Sequence, residues 1–556
     1  MTEVPRDPDL PRPTAVVWEL TARLCLLTDA HIGAARSVSG HGSENDGVLP
    51  LDRDPITDAP RLRATTLAGL LRHELTARAD HTGAVGLFGG GGPVFAPSAL
   101  DLDDAHAERA EAIPVTVRTG IRVAPDTGAA LPGRMWRREI LPAGTLFTCH
   151  LRLWVPALAH EARLLSLLLL ATRGLEGEGP GLGIGARTGR GYGAVRATRW
   201  AARRHDLTDA RGWSGFHARD WAERHRQGVE ALTENPGRLA DLVDLGLREH
   251  GRDAVAAHVA ARAALPDRAR RAELRMELHV AERAAPPAGP PNGPEGLRPG
   301  LLLVGGDPAE DTRPGVDRSH RRRPVVTDPD TGATRVEPVL GDTALFALLK
   351  RIGGRLARDA AEHLGAPGER WRAWHGSWWG ADSARTSSPE PAATHHGEAV
   401  PSRVRLRSVP VLAGGAPLTT ARRTVDALFG DTVDGRLFTA EAHCGGSAEV
   451  VLDVIGPDDA VRGLLALLVR ELATVPFDGA GAGTGGGNGG LVATRAVLTT
   501  YGDPSSPVET EGDDEGDPVD LMAVFADPEG ERAHVVRRWV RALHTRLTGP
   551  EEDEPR

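Results

Sequence analysis

The stretch AHEARLLSLLLLATRGLEGEGPGLGIGARTGRGYGAV, residues 159–195, joins an apolar segment to a loop in which glycine recurs at short intervals. A second apolar segment, DDAVRGLLALLVRELA at residues 458–473, is followed by the glycine-dense loop GAGAGTGGGNGG at residues 479–490. The spacing of the apolar residues predicts helices over Ala159–Thr172 and Asp458–Ala473. A helix, a glycine loop and a short strand are therefore predicted twice in one chain.

The segments around these two stretches also recur in one order. Each half begins with a predicted strand, a long polar loop and a helix that starts with small residues. An irregular stretch and a second strand follow before the apolar helix. The paired elements are strands Ala15–Leu27 and Glu273–Ala281, helices Thr65–Ala77 (with threonine at its N-cap) and Asp342–Ala361, and strands Thr145–Val155 and Ala448–Ile455. This recurrence predicts an α+β domain that is present twice.

Two segments lie outside the repeat. Residues 201–272 are rich in alanine, arginine and acidic residues, and they are predicted to form a helical connector. The end of the chain is predicted to be acidic, with a disordered stretch at 509–520 and a helix at 532–547. The predicted domains are 14–200 and 273–502, with the connector at 201–272 and the acidic tail at 503–556.

The charge of the chain depends strongly on position. The 556 residues carry a formal net charge of -10. Residues 501–556 contain 15 Asp or Glu and 6 Arg, a balance of -9, so the rest of the chain is close to neutral at about -1. The overall acidity therefore does not argue against a nucleic-acid partner.

Composition excludes several classes of protein. With 40% hydrophobic and 26% charged residues, the chain can bury a core. No run of about 18 apolar residues predicts a membrane span. The cysteines Cys25, Cys149 and Cys444 are too far apart for a local disulfide framework or a cysteine zinc site, and their scarcity favours a reducing cytoplasm.

The glycine loops allow three interpretations. Glycines let backbone amides approach a phosphate, and Arg187 and Arg190 would add charge. A dinucleotide fingerprint requires a preceding strand, whereas these loops follow helices, and neither loop contains the Gly-Lys-Ser/Thr of a P-loop. The remaining interpretation is a tight connection between a helix and a strand. Recurrence in both halves favours phosphate contact.

Two further repeated features could contact a phosphate backbone. The turns at Asp54-Pro55 and Asp328-Pro329 precede helices that carry Arg72 and His73 in the first half, and Lys350 and Arg351 in the second. The segments 118–147 and 422–441 are predicted to be extended β-arms whose arginines could lie along a phosphate backbone. Solvated helix faces and ordinary surface hairpins are the alternatives.

Taken together, these features resemble the RAMP superfamily, the repeat-associated proteins that form the backbone of type III CRISPR effector complexes. The first half carries the motifs in order: AHIG at 30–33, DPITDAP at 54–60, TTLAGLLR at 65–72, LFG at 87–89, PSAL at 97–100, RTGIR at 118–122, DTGAA at 126–130, EILPAGTLF at 139–147 and GRGYG at 189–193. The second half matches more weakly, because it has no PAGT motif and its glycine loop lacks arginine.

The resemblance implies two tandem RRM-like, ferredoxin-like domains with β-arm (thumb) insertions. It also implies that the chain grips CRISPR RNA within a filament of neighbouring effector subunits. The RNA-binding residues implied in this way are His31, Gly33, Arg36, Thr65, Thr66, Arg72, Arg118, Arg122, Gly183, Gly185, Arg187, Arg190, Gly191, Tyr192, Thr343, Lys350, Arg351, Arg423, Gly485 and Gly487.

The resemblance further implies cleavage of the paired target RNA. Several backbone subunits of this family use a loop aspartate that helps to hold a divalent cation, here Mg²⁺ or Mn²⁺, near the scissile phosphate. Asp46 is the matching position in the first half, with Asp52 as the next candidate, and Asp317 is the match in the second half. A turn-capping role is the alternative for each carboxylate, and the nearby His41 and His320 are expected to be solvated.

Three functions therefore remain open from the sequence. The chain is a backbone subunit that also cuts target RNA, a scaffold of the same kind that only binds, or a guide-processing endonuclease with a metal-independent, histidine-based mechanism. The arm and PAGT motifs favour the first two.

Overall fold

A computed structural model describes most of the chain. The described residues are 14–34, 48–79, 81–90, 96–123, 130–234, 236–264, 269–282, 296–305, 315–365, 370–381, 400–426, 428–474, 478–502 and 517–548. They divide into two compact units. Unit 1 comprises residues 1–186, 193–268 and 325–334, and unit 2 comprises 187–192, 269–324 and 335–556.

Unit 1 is built on an antiparallel sheet with the order β3-β5-β8-β1-β10-β9, and β4 also pairs with β8. Helix α1 connects β1 to the β4 edge, and α3 connects β8 to β10, which is the βαββαβ order of a ferredoxin-like core. Strands β6 and β7 form the arm. The elements are β1 Val16–Leu26, β2 Val48–Leu49, β3 Arg61–Leu62, α1 Ala64–Arg78, α2 His81–Phe88, β4 Leu100–Leu102, β5 Ala105–Ala107, β6 Thr116–Val123, β7 Ala130–Ile140, β8 Leu146–Val155, α3 Glu161–Thr172, β9 Leu182–Gly183 and β10 Ala194–Asp206.

The core of unit 1 lies between the sheet and helices α1 and α3. Trp18, Leu20 and Leu24 point from β1 into this core, where they meet Leu71 of α1 and Leu165 of α3, and all five are almost fully buried. Alternating residues of one strand thus face the helices, as their period-2 spacing requires. Helix α1 begins at Ala64 without a threonine cap, because its N-cap residue is Arg63.

The predicted connector contains four helices that pack on unit 1: α4 Ala210–His217, α5 Trp221–Glu234, α6 Leu239–Glu249 and α7 Asp253–Ala263. Helix α6 contacts β10, α7 contacts α3, and α5 contacts β1 and β10. Leu239, Val243 and Val259 join the core of unit 1. The helical character predicted from composition is present, but these helices form part of a folded unit.

Unit 2 has an antiparallel sheet with the order β16-β19-β11-β20-β21. Helix α8 lies in sequence between β11 and β16, and α10 lies between β19 and β20, so the βαββαβ order recurs. The second half contains β11 Arg271–Val280, β12 Leu301–Leu302, β13 Arg318–Ser319, β14 Arg322–Asp328, β15 Ala333–Pro338, α8 Asp342–His363, α9 Arg370–Trp379, β16 Val404–Leu406, β17 Ala416–Val425, β18 Thr432–Cys444, β19 Ser447–Ile455, α10 Asp459–Thr474, β20 Leu491–Tyr501, β21 Asp517–Asp520, α11 Leu521–Ala526 and α12 Ala533–Thr548.

The C-terminal region completes unit 2. Strand β21 extends the sheet through β20, and α12 packs along α10, where Gly463 faces the backbone of Trp539. The expectation of disorder at 509–520 is therefore wrong for residues 517–520, and residues 509–516 lie outside the described part. The predicted helix at 532–547 is observed as α12.

Two antiparallel strand pairs, here called the arms, belong to small sheets that are separate from the two main sheets. Strands β6 and β7 pair antiparallel in unit 1, and β17 and β18 pair antiparallel in unit 2. A short strand runs parallel to the second strand of each arm, β2 beside β7 and β13 beside β18. Within the described ranges, no helix is long and apolar enough to cross a membrane.

Candidate functional site

The first glycine loop closes against the end of β1. The Ile184 amide donates to the Gly193 carbonyl at 2.8 Å, and the Ala186 amide donates to the His31 carbonyl at 2.9 Å. A Cβ on Gly185 would stand 2.3 Å from the His31 oxygen, and one on Gly193 would stand 1.9 Å from the Ile184 oxygen. Both glycines have positive φ, so backbone packing alone requires them.

The second glycine loop follows the same path. Ala480 bonds to the Gly489 carbonyl, and Ala482 to the Leu303 carbonyl, each at 2.8 Å. A Cβ on Gly481 would meet the Leu303 oxygen at 2.4 Å, and one on Gly489 would meet the Ala480 oxygen at 2.0 Å. The two loops therefore present the same backbone surface, although the second contains no arginine.

Other glycines of the loops differ in their surroundings. Gly183 pairs with Ala194 in the sheet, and Gly191, at φ 81°, packs against the Ser408 backbone. Gly485 and Gly487 have open space around their Cα atoms. These last two are the loop glycines that a phosphate could approach without displacing protein atoms.

The arginines of the first loop belong to unit 2. Arg187 adopts a left-handed backbone at φ 67°, and its carbonyl accepts a hydrogen bond from the Arg190 amide at 2.8 Å. The Arg190 guanidinium lies 5.9 Å from the ring centroid of Phe346. Tyr192 is buried, so its ring is part of the packing.

The basic residues on the first helix of each half close a loop. Arg72 donates to the Gly89 carbonyl at 2.9 Å, and Lys350 donates to the carbonyls of Trp379, at 3.3 Å, and Gly380. The chain position after each of these glycines then forms an antiparallel bridge. Arg72 and Lys350 thus fasten equivalent turns, a structural contact that their surface-like spacing did not reveal.

The residues near the two helix starts have separate partners. Thr65 is exposed and Thr66 half-buried, while the Asp104 carboxylate accepts the Ala64 amide at 2.8 Å and caps α1. In unit 2, the Thr343 hydroxyl donates to Asp342 at 3.3 Å. Asp104 is the capping residue that sequence reasoning missed, because it lies 40 positions from the helix start.

Arg351 anchors the second glycine loop. Its guanidinium pairs with Asp478 at 3.0 Å and donates to the Gly479 carbonyl at 3.1 Å. Arg422 of β17 also reaches this loop, with a guanidinium nitrogen 3.3 Å from the Cβ position of residue 483. The arm thus supplies the arginine that the loop sequence lacks, and its place beside the loop could not be predicted from sequence spacing.

The arms carry the remaining predicted cations. Arg118 is buried and pairs with Asp29 at 2.6 Å, and Asp29 also accepts the Ala143 amide at 2.9 Å. Arg423 is exposed on β17, and Arg122 lies in β6 with a side chain outside the described part. Arg118 therefore anchors the first arm at its base.

His31 and Gly33 follow strand β1 and contact residues beside the first arm. The His31 ring is buried, and its Nδ1 lies 2.7 Å from the Glu139 carbonyl. Gly33 is exposed and forms an antiparallel bridge with Leu51. Leu51 in turn donates its amide to the Glu139 carboxylate at 2.9 Å.

The three candidate catalytic aspartates have different environments. Asp46 lies outside the described residues, as do Arg36 and His41. Asp52 is buried between Arg61 and Arg63. Burial raises the pKa of the Asp52 carboxyl, but the two guanidinium groups outweigh burial and hold it below its usual value.

Asp317 is exposed beside the second arm. Its Oδ2 accepts the Thr439 amide at 2.7 Å and the Thr439 hydroxyl at 3.0 Å, and its own amide donates to the Thr439 carbonyl. Nearby His320 is buried rather than solvated. Burial and the neighbouring His443 lower the pKa of His320 to about 4, so the ring is neutral near pH 7.

The backbone register shows which positions of the two halves correspond. Leu51 forms a bridge with Gly33, and His320 forms the equivalent bridge with Gly305. Three residues earlier, Val48 lies opposite Arg137, and Asp317 lies opposite Thr439 in the same way. The position that corresponds to Asp317 is therefore Val48. Asp46 precedes it by two residues, so the two aspartates predicted as a pair do not occupy one register.

A comparison with known families gives a match within the first half of the chain. Residues 23–196 match the RAMP superfamily model. The match spans β1 to the start of β10 and includes the first arm and the first glycine loop, and it supports membership of the RAMP superfamily. No curated protein matches the chain.

The RAMP match ends at residue 196, yet several of its contacts recur in unit 2. Ser98 donates to the Leu87 and Leu100 carbonyls, and Ser402 donates in the same way to Trp378 and Val404. Glu139 of the PAGT motif has a counterpart in Glu441, since Arg138 and Ala440 hold equivalent places in the arms. Sequence comparison missed Glu441 because the residues after it do not resemble Pro-Ala-Gly-Thr.

In general terms, the RAMP superfamily suggests a CRISPR-associated, RNA-binding function. Among the described residues, Arg422, Arg423, Gly485 and Gly487 are exposed. No group of three or more His, Cys, Asp or Glu residues in the described part could hold a metal ion by itself.

Proposed function

We propose that this protein is a CRISPR RNA-binding backbone subunit of a type III effector complex, formed by two fused RAMP domains. The observation that carries the proposal is the identical backbone closure of the two glycine loops on the ends of β1 and the Leu301–Leu303 segment. Only the first loop lies in the matched region, so the recurrence supports a second domain of the same kind.

The proposed RNA path follows the loops rather than the helix cations. Arg72 and Lys350 donate to loop carbonyls, and Arg118 pairs with Asp29. Exposed backbone at Gly485 and Gly487, with the Arg422 guanidinium beside the loop, offers amides and a cation to phosphate oxygens. Arg423 extends this surface along the arm.

We further propose that the chain cleaves guide-paired target RNA with a divalent cation. Asp317 fits one part of such a site: its carboxylate is exposed, and within the described region its hydrogen bonds use Oδ2 only. Magnesium is commonly held by one or two carboxylates together with substrate phosphates. Asp317, and Asp46 in the first half, would hold the cation, which would polarise the scissile phosphate.

Thr439 would keep the Asp317 carboxylate in place during such a reaction. Two hydrogen bonds from one residue fix the orientation of Oδ2 and leave Oδ1 directed away from them. The buried, arginine-paired Asp52 is a poorer candidate, because a cation would have to displace two guanidinium groups.

The test is reconstitution with the neighbouring effector proteins, followed by sequencing of the co-purified RNA. Short CRISPR RNAs of uniform register are the expected cargo, and random cellular RNA would contradict the proposal. Target cutting is then measured with Mg²⁺ or Mn²⁺ for the wild type, Asp46→Ala, Asp317→Ala and the matched control Asp431→Ala on the second arm.

We expect each aspartate variant to bind RNA normally but to lose cleavage of the target RNA at a different position. Guide binding without any cutting would leave the non-catalytic scaffold as the function. Cutting of unpaired repeat RNA in EDTA would instead establish a guide-processing endonuclease.

A further inference from the structure

A cleft lies between the outer face of the unit 1 sheet and the inserted helices. Its volume is about 440 Å³, within the range of sites that take a small molecule. Strands β1, β8 and β10 form its floor, and α5 and α6 form its roof. These helices follow residue 196, so they lie beyond the RAMP match.

Helix α5 approaches the floor closely at Gly228. A Cβ at this position would stand 2.3 Å from the Thr21 hydroxyl oxygen and 3.8 Å from the His150 ring. Because Gly228 has no side chain, helix α5 can pack directly against β1 at Thr21 and β8 at His150. Arg224 on the same helix pairs with Glu19 at 2.8 Å, which fixes the helix along β1.

One wall of the cleft is aromatic. The His150 and His225 rings stack with centroids 3.2 Å apart and an angle of 30° between their planes, and Trp221 lies 4.6 Å from His225. Burial and the neighbouring His225 lower the pKa of His150 to about 3, so this ring is uncharged near neutral pH. Trp221 remains 37% exposed. The Arg152 guanidinium lies over the Trp221 ring, 4.1 Å from its centroid. A planar heterocycle suits the part of this wall that stays exposed.

The polar lining includes a cation without a carboxylate partner. Arg152 pairs with Asp103 at 3.0 Å and Arg224 with Glu19, but Arg203 pairs with no acidic side chain among the described residues. Arg203 is exposed and donates to the Gln227 amide oxygen at 2.6 Å. Its remaining donors can bind an anionic group such as a phosphate.

An acidic residue at the cleft offers the complementary contact. Glu249 of α6 lines the cleft, is exposed, and forms no ion pair with any cation that the structure describes. Its carboxylate can accept hydrogen bonds from hydroxyl or amino groups. The lining therefore combines an aromatic wall, an anion-binding donor and an acceptor.

We propose that this cleft binds a nucleotide, with the base against the His150, His225 and Trp221 wall and the phosphate at Arg203. Glu249 accepts a hydrogen bond from the ribose or from an exocyclic amino group. A free mononucleotide and one unpaired nucleotide of an RNA strand present the same groups. This site is separate from the glycine loops and does not depend on guide binding.

The experiment is isothermal titration calorimetry on the full chain with AMP, CMP, UMP, the trinucleotide ApApA and inorganic phosphate. AMP and CMP are expected to bind more tightly than UMP, because they carry an exocyclic amino group. Arg203→Ala is expected to weaken binding at least tenfold, and Arg203→Lys to restore part of it. Arg226→Ala, on the same helix but paired with Glu230 outside the lining, serves as the control.

Glu249→Gln is expected to reduce the preference for AMP and CMP over UMP while phosphate-dependent binding persists. Tighter binding of ApApA than of AMP would identify an RNA strand as the source, and the reverse would identify free nucleotides. The proposal is overturned by the absence of nucleotide binding, by equal binding in Arg203→Ala, or by inorganic phosphate binding as tightly as AMP. Circular dichroism of each variant confirms that the fold is retained.

Discussion

In each unit, an ion pair joins the segment before the first helix to the start of that helix. In unit 1 the acid Asp52 pairs with Arg63, the N-cap of α1, whereas in unit 2 the base Arg321 pairs with Asp342, the first residue of α8. The register places Asp52 and Arg321 at equivalent positions. Each unit therefore has an ion pair at the start of this helix, and the acid and the base are on opposite sides of the pair in the two units.

The bases of the arms differ more deeply. The first arm is fixed by the buried pair Asp29–Arg118, while the equivalent positions in unit 2 are Leu301 and Thr420. The central portions of the arms differ as well. Residues 118–138 contain five arginines and one aspartate, whereas the equivalent residues 420–440 contain three arginines and three aspartates. The first arm is therefore better suited to a phosphate backbone than the second.

The largest predicted difference between the units concerns the arm anchors. Arg118→Leu leaves Asp29 buried without its charge partner and is expected to lower the free energy of unfolding by about 3–5 kcal/mol. Thr420→Val, the matched change in unit 2, is expected to cost less than about 1 kcal/mol. Urea titration of both variants measures this difference, and equal losses would contradict the assigned anchor role.

The glycine loops are predicted to respond alike. Gly193→Ala and Gly489→Ala each place a Cβ about 2 Å from a carbonyl oxygen at positive φ, and each is expected to cost about 2–4 kcal/mol. Gly485→Ala, at an open position, is the control and is expected to change stability little. Tolerance at one of the first two positions would break the equivalence of the loops.

Replacing the loop-closing cations Arg72 and Lys350 is expected to have the next smaller effect on the free energy of unfolding. Arg72→Met and Lys350→Met each remove charge-assisted hydrogen bonds to loop carbonyls, so each is expected to cost about 1–3 kcal/mol. Arg358→Met on α8 removes exposed ion pairs with Asp359 and Glu362, which contribute little to stability, and it is the control. Thermal unfolding of the three variants shows whether a lysine and an arginine perform the same task. A shift for Arg72→Met alone would limit the role to unit 1.

The smallest predicted effect is a pH dependence. Because the folded pKa of Asp52 is depressed, its contribution to stability is complete above the unfolded value of about 3.9 and is lost as pH falls through the folded value. Asp52→Asn is therefore expected to flatten the stability profile below about pH 4. Chemical denaturation between pH 3 and 6 measures this slope, and an unchanged slope would show that Asp52 is not titrating there.

Local periodicity predicted the regular elements well. The apolar spacing of the two long helices and the strands beside them places α3, α10, β8 and β19 close to their observed bounds, because each signal lies within one element. The coarse α+β class follows from their order. The packing of the inserted helices was not predictable, because their partners on β1 and α3 lie far away in sequence.

The candidate site was less predictable for the same reason. The partners of Arg72 and Lys350 are 17 and 30 positions away, so sequence spacing indicated only basic helix faces. The matching of Asp54-Pro55 to Asp328-Pro329 also misled the alignment of the aspartates. By register Asp54 corresponds to Arg323, and Asp328 belongs to the β14–β15 hairpin. Two similar turns thus occupy different places in the fold.

The placement of helix α5 has a consequence for tolerance to substitution. Along β1, nine of eleven residues are buried and two are half-buried, since the core covers one face and the inserted helices cover much of the other. Along β11, Arg275, Glu277 and His279 alternate with buried neighbours. A saturation mutagenesis scan is therefore expected to show intolerance at nearly every position of β1, but a two-residue rhythm of tolerance along β11.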